Sequence, residues 1–293
     1  MDTQIEHVAD TAYLVAHHRA VESARRKPLF IDPFAAQLAG EYGPHIAAQM
    51  PTSAMTGWSV ALRTVIIDDF VLEAIAAGVG RILNLGAGLD TRPWRMELPP
   101  ALQWVEVDYP HVLAAKAKVL AQVRPRCQLE SVPLDLADRP ARQALLARLD
   151  SDEVPLLVLT EGVLPYLTVP AVGELAEDLH RLRQLRGWLV DYVSPESIAY
   201  RQRAGVTDAM RKTPFLFTPP DWQGFFASHA FDVRTLNYLA DAGQRLHRPP
   251  PLPWLARVVL GLGRRLRPGA GQEGFRRSMG YAWLQPVVRD NPA

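Results

Sequence analysis

The stretch RILNLGAGLDTRPWRM, Arg81 to Met96, decides how the rest of the chain is read. A short apolar run passes through Asn84 and Leu85 and drops into Gly86-Ala87-Gly88. This is the pattern of a buried strand entering a tight turn where backbone approaches a ligand. Set against G-x-G-x-x-G, the register gives Gly86, Gly88 and Thr91. The third glycine, which lets a helix pack closely on the strand of a dinucleotide site, is missing. The loop alone leaves open which cofactor, if any, it holds.

Downstream of the loop, strand and helix alternate. LQWVEVDYP is a second strand ending at Asp108, followed by a Lys- and Ala-rich helix through Gln122. CQLESVPLDL is a third strand ending near Asp135, and ARQALLARL is helical. VPLLVLTEGVLPYL holds a fourth, buried strand from Leu156 to Thr160; VPAVGELAEDLHRLR is a helix and GWLVDYV a fifth strand. Such alternation implies a parallel sheet with helices on both faces. Ligands of these sheets bind at the carboxyl ends of the strands. Those ends carry Gly86 to Asp90, Asp108, Asp135, Glu161 and Tyr192 to Ser194. FDVRTLNYL and SMGYAWLQPV read as two late strands, an antiparallel pair at the sheet edge.

Upstream, the first eighty residues read as helices. DTAYLVAHHRAVESARR has helical apolar spacing with Asp10 as N-cap. In DPFAAQLAGEYG, Asp32 caps, Pro33 takes the first helical position and Gly40 ends the helix. ALRTVIIDDFVLEAIAAGVG is a long amphipathic helix closed by Gly78 and Gly80. The expected organisation is an N-terminal helical segment, 1–80, packed on a core, 81–293, with a variable substrate or cap region at about 195–278.

Thirty-two basic and thirty-one acidic residues leave a net charge of +1, which argues against a dedicated nucleic-acid binder. With 48% hydrophobic and 22% charged residues, the balance is that of a soluble globular protein. The single Cys127 excludes an intrachain disulfide framework and a cysteine-based zinc site, and no metal is expected. Cys127 itself reads as a small buried apolar residue. No signal peptide or membrane-spanning run is visible, so a cytoplasmic location is expected.

Three readings compete for the glycine loop. A nicotinamide dinucleotide site fails at the third glycine. S-adenosylmethionine (SAM) carries the same adenosine without phosphates and needs an acid for the ribose, a polar contact for adenine and charged partners for the amino-acid end. Asp108 can accept both ribose hydroxyls, Asp135 the adenine amino group with Leu136 against the ring, and Glu161 the ammonium. Arg63 can pair bidentately with the carboxylate. In the third reading the acids only cap helices and the glycines only turn the chain.

DPFAAQLAG, ALRTVIIDD, LNLGAGLDTRPWR, VEVDYP, VPLDLAD and LTEGVLPYL, in that order, resemble the leucine carboxyl methyltransferase superfamily. More narrowly, they are similar to its bacterial SAM-dependent O-methyltransferases, often linked to polyketide and other secondary metabolism. The resemblance covers roughly residues 10 to 195 and weakens beyond. It implies a class I SAM-dependent methyltransferase (Rossmann-like) fold, α/β, with a seven-stranded, mostly parallel sheet and an antiparallel last strand. It places cofactor contacts at Arg63, at Gly86 with its neighbours Ala87 and Gly88, at Asp108 with Tyr109, and at Asp135, Leu136 and Glu161. Arg19, in AHHRAVES, falls where the family has a basic residue near the cofactor carboxylate, which implies that the first thirty residues fold over the cofactor. Class I methyltransferases commonly have an acid where this chain has Asn84; Glu161 is then the natural partner for the ammonium.

Methyl transfer from a sulfonium is an in-line displacement that needs alignment above all. A carboxylate acceptor is already ionised and needs no base, whereas a phenol gains from one. The absence of a clear His–acid pair beside the glycine motifs favours a carboxylate. Tyr166, Tyr192 and Tyr200 follow the fourth and fifth strands and are acceptor-pocket candidates, with Arg201, Arg203 and Arg211 beyond them. His17 and His18 read as surface or packing residues; His229 and His247 lie in the variable region where an acceptor pocket can form. PWLARVVLGLGRRLRP, within 250–268, is basic and amphipathic, and reads as a cap helix, a lid or a membrane-surface contact. The expected activity is transfer of methyl from SAM to an oxygen of a small-molecule acceptor. Protein C-terminal carboxyl methylation and non-catalytic SAM binding are the alternatives.

Overall fold

The computed structural model describes residues 10–50, 52–198, 214–251 and 272–287. Four helices, α1 (Asp10–Ser23), α2 (Ala35–Ala39), α3 (Tyr42–Gln49) and α4 (Ser53–Ala76), precede the first strand, β1 (Arg81–Leu85). Then follow α5 (Arg92–Arg95), β2 (Gln103–Asp108), α6 (Pro110–Leu120), β3 (Gln128–Pro133), α7 (Arg139–Asp150) and β4 (Leu156–Thr160). The chain continues through α8 (Val169–His180), β5 (Leu185–Val193), α9 (Trp222–Ser228), β6 (Phe231–Tyr238), α10 (Leu239–Arg245), α11 (Gln272–Arg276) and β7 (Met279–Pro286).

The strands form one seven-stranded sheet in the order β3-β2-β1-β4-β5-β7-β6. The pairs β1–β2, β1–β4, β2–β3 and β4–β5 are parallel, and β7 runs antiparallel to both β5 and β6. The late strands therefore do form the expected antiparallel pair at the edge. Chain order reverses between β1 and β4, which opens a crevice at their carboxyl ends.

Alternation along the central strands splits the core in two. Leu83 and Leu85 of β1 face one cluster with Val105, Val107, Val158 and Leu175. Ile82 faces the other, with Trp104, Leu157, Leu159 and Leu189. Leu62, Ile66, Ile67, Phe70, Val71 and Ala74 of α4 close the second cluster at helical spacing, so α4 is a wall of the core. Asn84, two residues on from Ile82, points to that same face.

Three local expectations shift. The helix α4 starts at Ser53, eight residues before the amphipathic segment read from sequence. Asp32 does not cap α2, whose N-cap is Phe34, and Pro33 does not take its first position, because the helix begins only at Ala35. The Asp32 Oδ1 accepts the Phe34 N–H in a turn, while Oδ2 accepts the hydroxyl of Thr91 at 2.6 Å. A tertiary partner 59 residues away has claimed the carboxylate. His18 is buried, with its Nδ1 packed against Gly57 of α4, and burial together with His17 pushes its imidazole down to about 4. Cys127 is buried as expected, its thiol raised by desolvation to about 11.

Candidate cofactor and acceptor site

Gly86 and Gly88 both adopt positive φ, +71° and +49°. At Gly86 a side chain is doubly refused: the backbone is left-handed, and a Cβ would collide with Cγ2 of Val163. The N–H groups of Gly86 and Ala87 donate to the Val107 carbonyl at 2.8 and 3.0 Å, binding the turn to β2. Asp108, at the end of β2, accepts the Gly88 N–H at 2.6 Å and the Tyr109 N–H at 2.7 Å, one on each oxygen. Two amides thus fix this carboxylate in orientation, and each oxygen keeps a lone pair for a vicinal diol. Asp135 accepts the Ala137 N–H at 2.9 Å and is the hydrogen-bond partner of the Tyr109 hydroxyl. Leu136 lies beside it on the cavity wall. The acids read from the sequence for adenosine, Asp108 and Asp135, are therefore gathered at the ends of β2 and β3.

Beside the glycine turn, where the sequence placed the cofactor's amino-acid end, lies an ionic lattice that the sequence did not announce. Glu161, after β4, holds Arg63 of α4 (Nε to Oε1, 2.6 Å) and Arg92 of α5 (Nη1 to Oε2, 2.7 Å). Arg92 also binds Asp68 at 2.7 Å and Asp90 at 2.9 Å. Asp68 is gripped a second time by Arg95. Burial alone would raise the Asp90 carboxyl, but Arg92, Arg19 and Lys116 overcome it and hold the group well below the usual carboxylate range. Glu161 is likewise lowered, burial being outweighed by Arg92 and Arg63. Asn84 donates to Asp90 Oδ2 at 2.9 Å. The acid missing at position 84 thus stands one hydrogen bond away, at position 90. Arg19 of α1 is buried, donates to the Leu89 carbonyl at 2.6 Å and lies 3.4 Å from Asp32. The Nε atoms of Arg19 and Arg63 are buried without a well-angled hydrogen bond. Both are ion-paired, Arg19 to Asp32 and Arg63 to Glu161, and two buried guanidiniums suit a carboxylate ligand such as the amino-acid end of SAM.

Asn84, Asp90 and Arg92 border a cavity of about 850 Å³, with Asp32, Asp68, Arg95 and Lys116 behind its wall. The cofactor candidates Arg19, Arg63, Gly86, Ala87, Gly88, Asp108, Tyr109, Asp135, Leu136 and Glu161 all border it. Tyr166 borders it too, edge-on to Phe215 at 5.5 Å, and so does Tyr192, edge-on to Trp222 and Tyr238. Met55, Trp58 and Met279 add apolar wall. His229 does not border it. It precedes β6, whose start lies at the amino ends of the parallel strands, and its ring packs on Gly173 of α8. His229 therefore leaves the acceptor candidates: chain proximity to a variable region did not place it on the site's side of the sheet. His247 is also absent from the cavity wall. Tyr200, Arg201, Arg203, Arg211 and the basic segment from Trp254 to Arg267 lie outside the described residues.

Four residues were passed over in the sequence. Asp90 and Arg92 belong to the opening motif itself, GLDTR, but carried no assigned role. Asp191, on β5, borders the cavity at 7% exposure, and Tyr281, opposite it on β7, hydrogen-bonds Arg63. The signal for Asp191 was an acid inside the apolar run GWLVDYV; for Tyr281 there was none.

The family profile described as leucine carboxyl methyltransferase matches residues 12–180. A protein of Mycobacterium marinum described as an S-adenosyl-L-methionine-dependent methyltransferase is 36% identical over 229 residues, 69% of this chain and 70% of its own. One of Saccharopolyspora erythraea with the same description is 33% identical over 83% of this chain and 85% of its own. Other relatives are matched over less of their length, 62% for one from Frankia alni. Among solved structures, a methyltransferase-type protein of Thermobifida fusca superposes with a TM-score of 0.56 at 16% identity, covering 94% of both chains. A protein of Streptomyces avermitilis superposes at 0.52 and 14%, covering 94% of this chain and 97% of that one. The structural likenesses speak for the fold, and the profile and the sequence relatives for descent. The chain belongs to the leucine carboxyl methyltransferase family.

Proposed function

We propose that the protein transfers a methyl group from SAM to an oxygen, carboxylate or hydroxyl, of an apolar small molecule of the kind met in secondary metabolism. SAM is the methyl donor, and methyl transfer follows from family membership. When bound, SAM supplies an electrophilic methyl on a good leaving group. Asp108 and Asp135 would hold its adenosine, and Arg63, Arg19 and Glu161, backed by Asp90 and Arg92, its amino-acid end. The work of the chain's own residues is then to orient the acceptor and exclude water.

One observation carries the acceptor class. The cavity that contains the cofactor contacts runs on, without a break, to walls made of Met55, Trp58, Tyr166, Tyr192, Phe215 and Met279. At about 850 Å³ it is near the upper end of small-molecule sites, roughly 300–1,000 Å³. Aromatic and thioether walls favour a flat or flexible apolar acceptor. The test is turnover of methyl-labelled SAM against a panel of apolar carboxylic acids, phenols, amines, thiols and peptides with free C-termini. Labelled esters or ethers of small molecules support the reading. Label only on nitrogen, on sulfur or on peptide termini overturns it.

A further inference from the structure

The cofactor contacts leave one buried acid unused. Asp191 sits on β5, the strand beyond β4, on the side away from the adenosine contacts of β2 and β3. An acceptor entering beside the amino-acid end of the cofactor meets this strand first, with Tyr192 and Val193 next along it. Its carboxylate accepts from the Gly162 N–H, at 2.9 and 3.2 Å from its two oxygens, and from its own backbone amide. A carboxylate has about four acceptor positions, and leaving the rest empty in a buried site is costly. A neutral side chain would serve the Gly162 amide equally well. The groups acting on Asp191 come from three neighbouring elements: Arg63 from α4, Glu161 from the turn after β4, and Tyr281 from β7.

The charges along the cavity speak to what the acceptor is. Its described wall carries six carboxylates (Asp90, Asp108, Asp135, Glu161, Asp191, Glu196) and three guanidiniums, those of Arg19, Arg63 and Arg92. Each guanidinium already has carboxylate partners. A carboxylate acceptor would bring a further negative charge beside Asp191 with no uncommitted cation among the described residues to meet it. A hydroxyl would instead donate its hydrogen bond to Asp191.

We infer that the acceptor is a hydroxyl of weak acidity, a phenol or enol on an apolar frame, and that Asp191 takes its proton. This rests on the O-methyltransferase reading above. In the step, the acceptor O–H bond breaks with its proton passing to a carboxylate oxygen of Asp191. The oxygen forms a bond to the methyl carbon, and the electron pair of the carbon–sulfur bond stays on sulfur, leaving a neutral thioether. Asp191 then returns the proton to solvent. Burial and the nearby Glu161 push its carboxyl up to about 6 against the pull of Arg63 and Gly162. A base with that value is mostly ionised near neutrality and close to the optimum for proton transfer.

The test compares 4-hydroxybiphenyl, protonated at about pH 8, with pentafluorophenol, ionised there, and with benzoate, in wild type and Asp191→Asn. The expected loss in kcat for 4-hydroxybiphenyl is about 10²–10⁴-fold. Pentafluorophenol should lose far less, and calorimetric SAM affinity should hold. Equal losses for both phenols, or benzoate methylated at a rate indifferent to the substitution, overturn the inference while leaving O-methylation standing. If no oxygen acceptor turns over in a SAM-binding wild type, the O-methyltransferase reading itself fails. Should the variant not fold, the wild type decides. With Asp191 as base, the rate for 4-hydroxybiphenyl levels off above about pH 6. A rate that climbs tenfold per pH unit toward the phenol's own pKa, near about 10, overturns the inference. Independently of turnover, carbon-13 NMR of the cofactor-free protein should show an aspartate carboxyl titrating near the same value, and its absence also overturns the inference.

Discussion

Gly86→Ala tests whether the turn is built for close approach or merely tolerates glycine. Two costs add at this position. An alanine at φ +71° sits in the left-handed region, at about 1–2 kcal/mol. Its Cβ also collides with Val163 Cγ2, and overpacking of this kind costs about 1–3 kcal/mol. The sum is about 2–5 kcal/mol, a large part of the stability of an ordinary domain. The two costs separate in a double-mutant cycle with Val163→Ala. That change removes the colliding methyl and leaves Val163 Cβ at 3.8 Å, ordinary contact. The overpacking share should then vanish, a favourable coupling of about 1–3 kcal/mol, while the backbone share of about 1–2 kcal/mol persists. Denaturant unfolding of the four proteins measures the cycle, with SAM binding by calorimetry in parallel. Additive single effects, or a stable Gly86→Ala protein, would refute the packing argument.

Three further outcomes follow from the same geometry. Asp108→Asn should weaken SAM and S-adenosylhomocysteine by about 1.5–3 kcal/mol, because it replaces charge-assisted acceptance and turns an amide N–H toward Gly88 or Tyr109; unchanged affinity for both rejects the ribose role. Glu161→Gln removes the anion between Arg63 and Arg92 and should cost about 3–5 kcal/mol of stability as well as SAM affinity. A folded Glu161→Gln protein with full SAM affinity would contradict the assignment of Glu161 to the ammonium. Asp191 gives a pH signature apart from catalysis. Its folded value of about 6 lies above the ordinary carboxylate value near 3.9, so the unfolded chain loses this proton first and the fold loses stability as pH rises from about 4 to about 6. The loss is about 3 kcal/mol, absent from Asp191→Asn; parallel stability curves for the two proteins from about pH 4 to 7 would rule it out.

Where each element's pattern was local, the sequence carried it. Short apolar runs alternating with helical segments marked five strands where the structure has them, and FDVRTLNYL and SMGYAWLQPV marked the antiparallel edge. The acids proposed for the cofactor were legible because each stands at or just past a strand end, and strand ends in a parallel sheet converge. Asp32 was misread because a helix cap and a tertiary acceptor look alike in sequence, and only the fold brings Thr91 and Arg19 to it. His229 was misread for the converse reason: β6 places it at the opposite end of the sheet from the site.

The sequence by itself determined the layering, the strand ends and which acids stand at those ends, the ones proposed to hold adenosine. Those depend on periodicity and on turn chemistry within a few residues. Only the tertiary structure decided how charge is distributed. Arg63 and Arg92 meet on Glu161 from α4 and α5, although both lie far from it along the chain, because both helices pack beside the β1–β4 crevice. Asn84 is answered by Asp90 through a hydrogen bond across the turn, and Asp191 is left with little but Gly162 and its own amide because β5 and β7 bury it. Electrostatics in a low-dielectric crevice depends on distances of a few ångströms between groups far apart in sequence, and sequence spacing does not encode those.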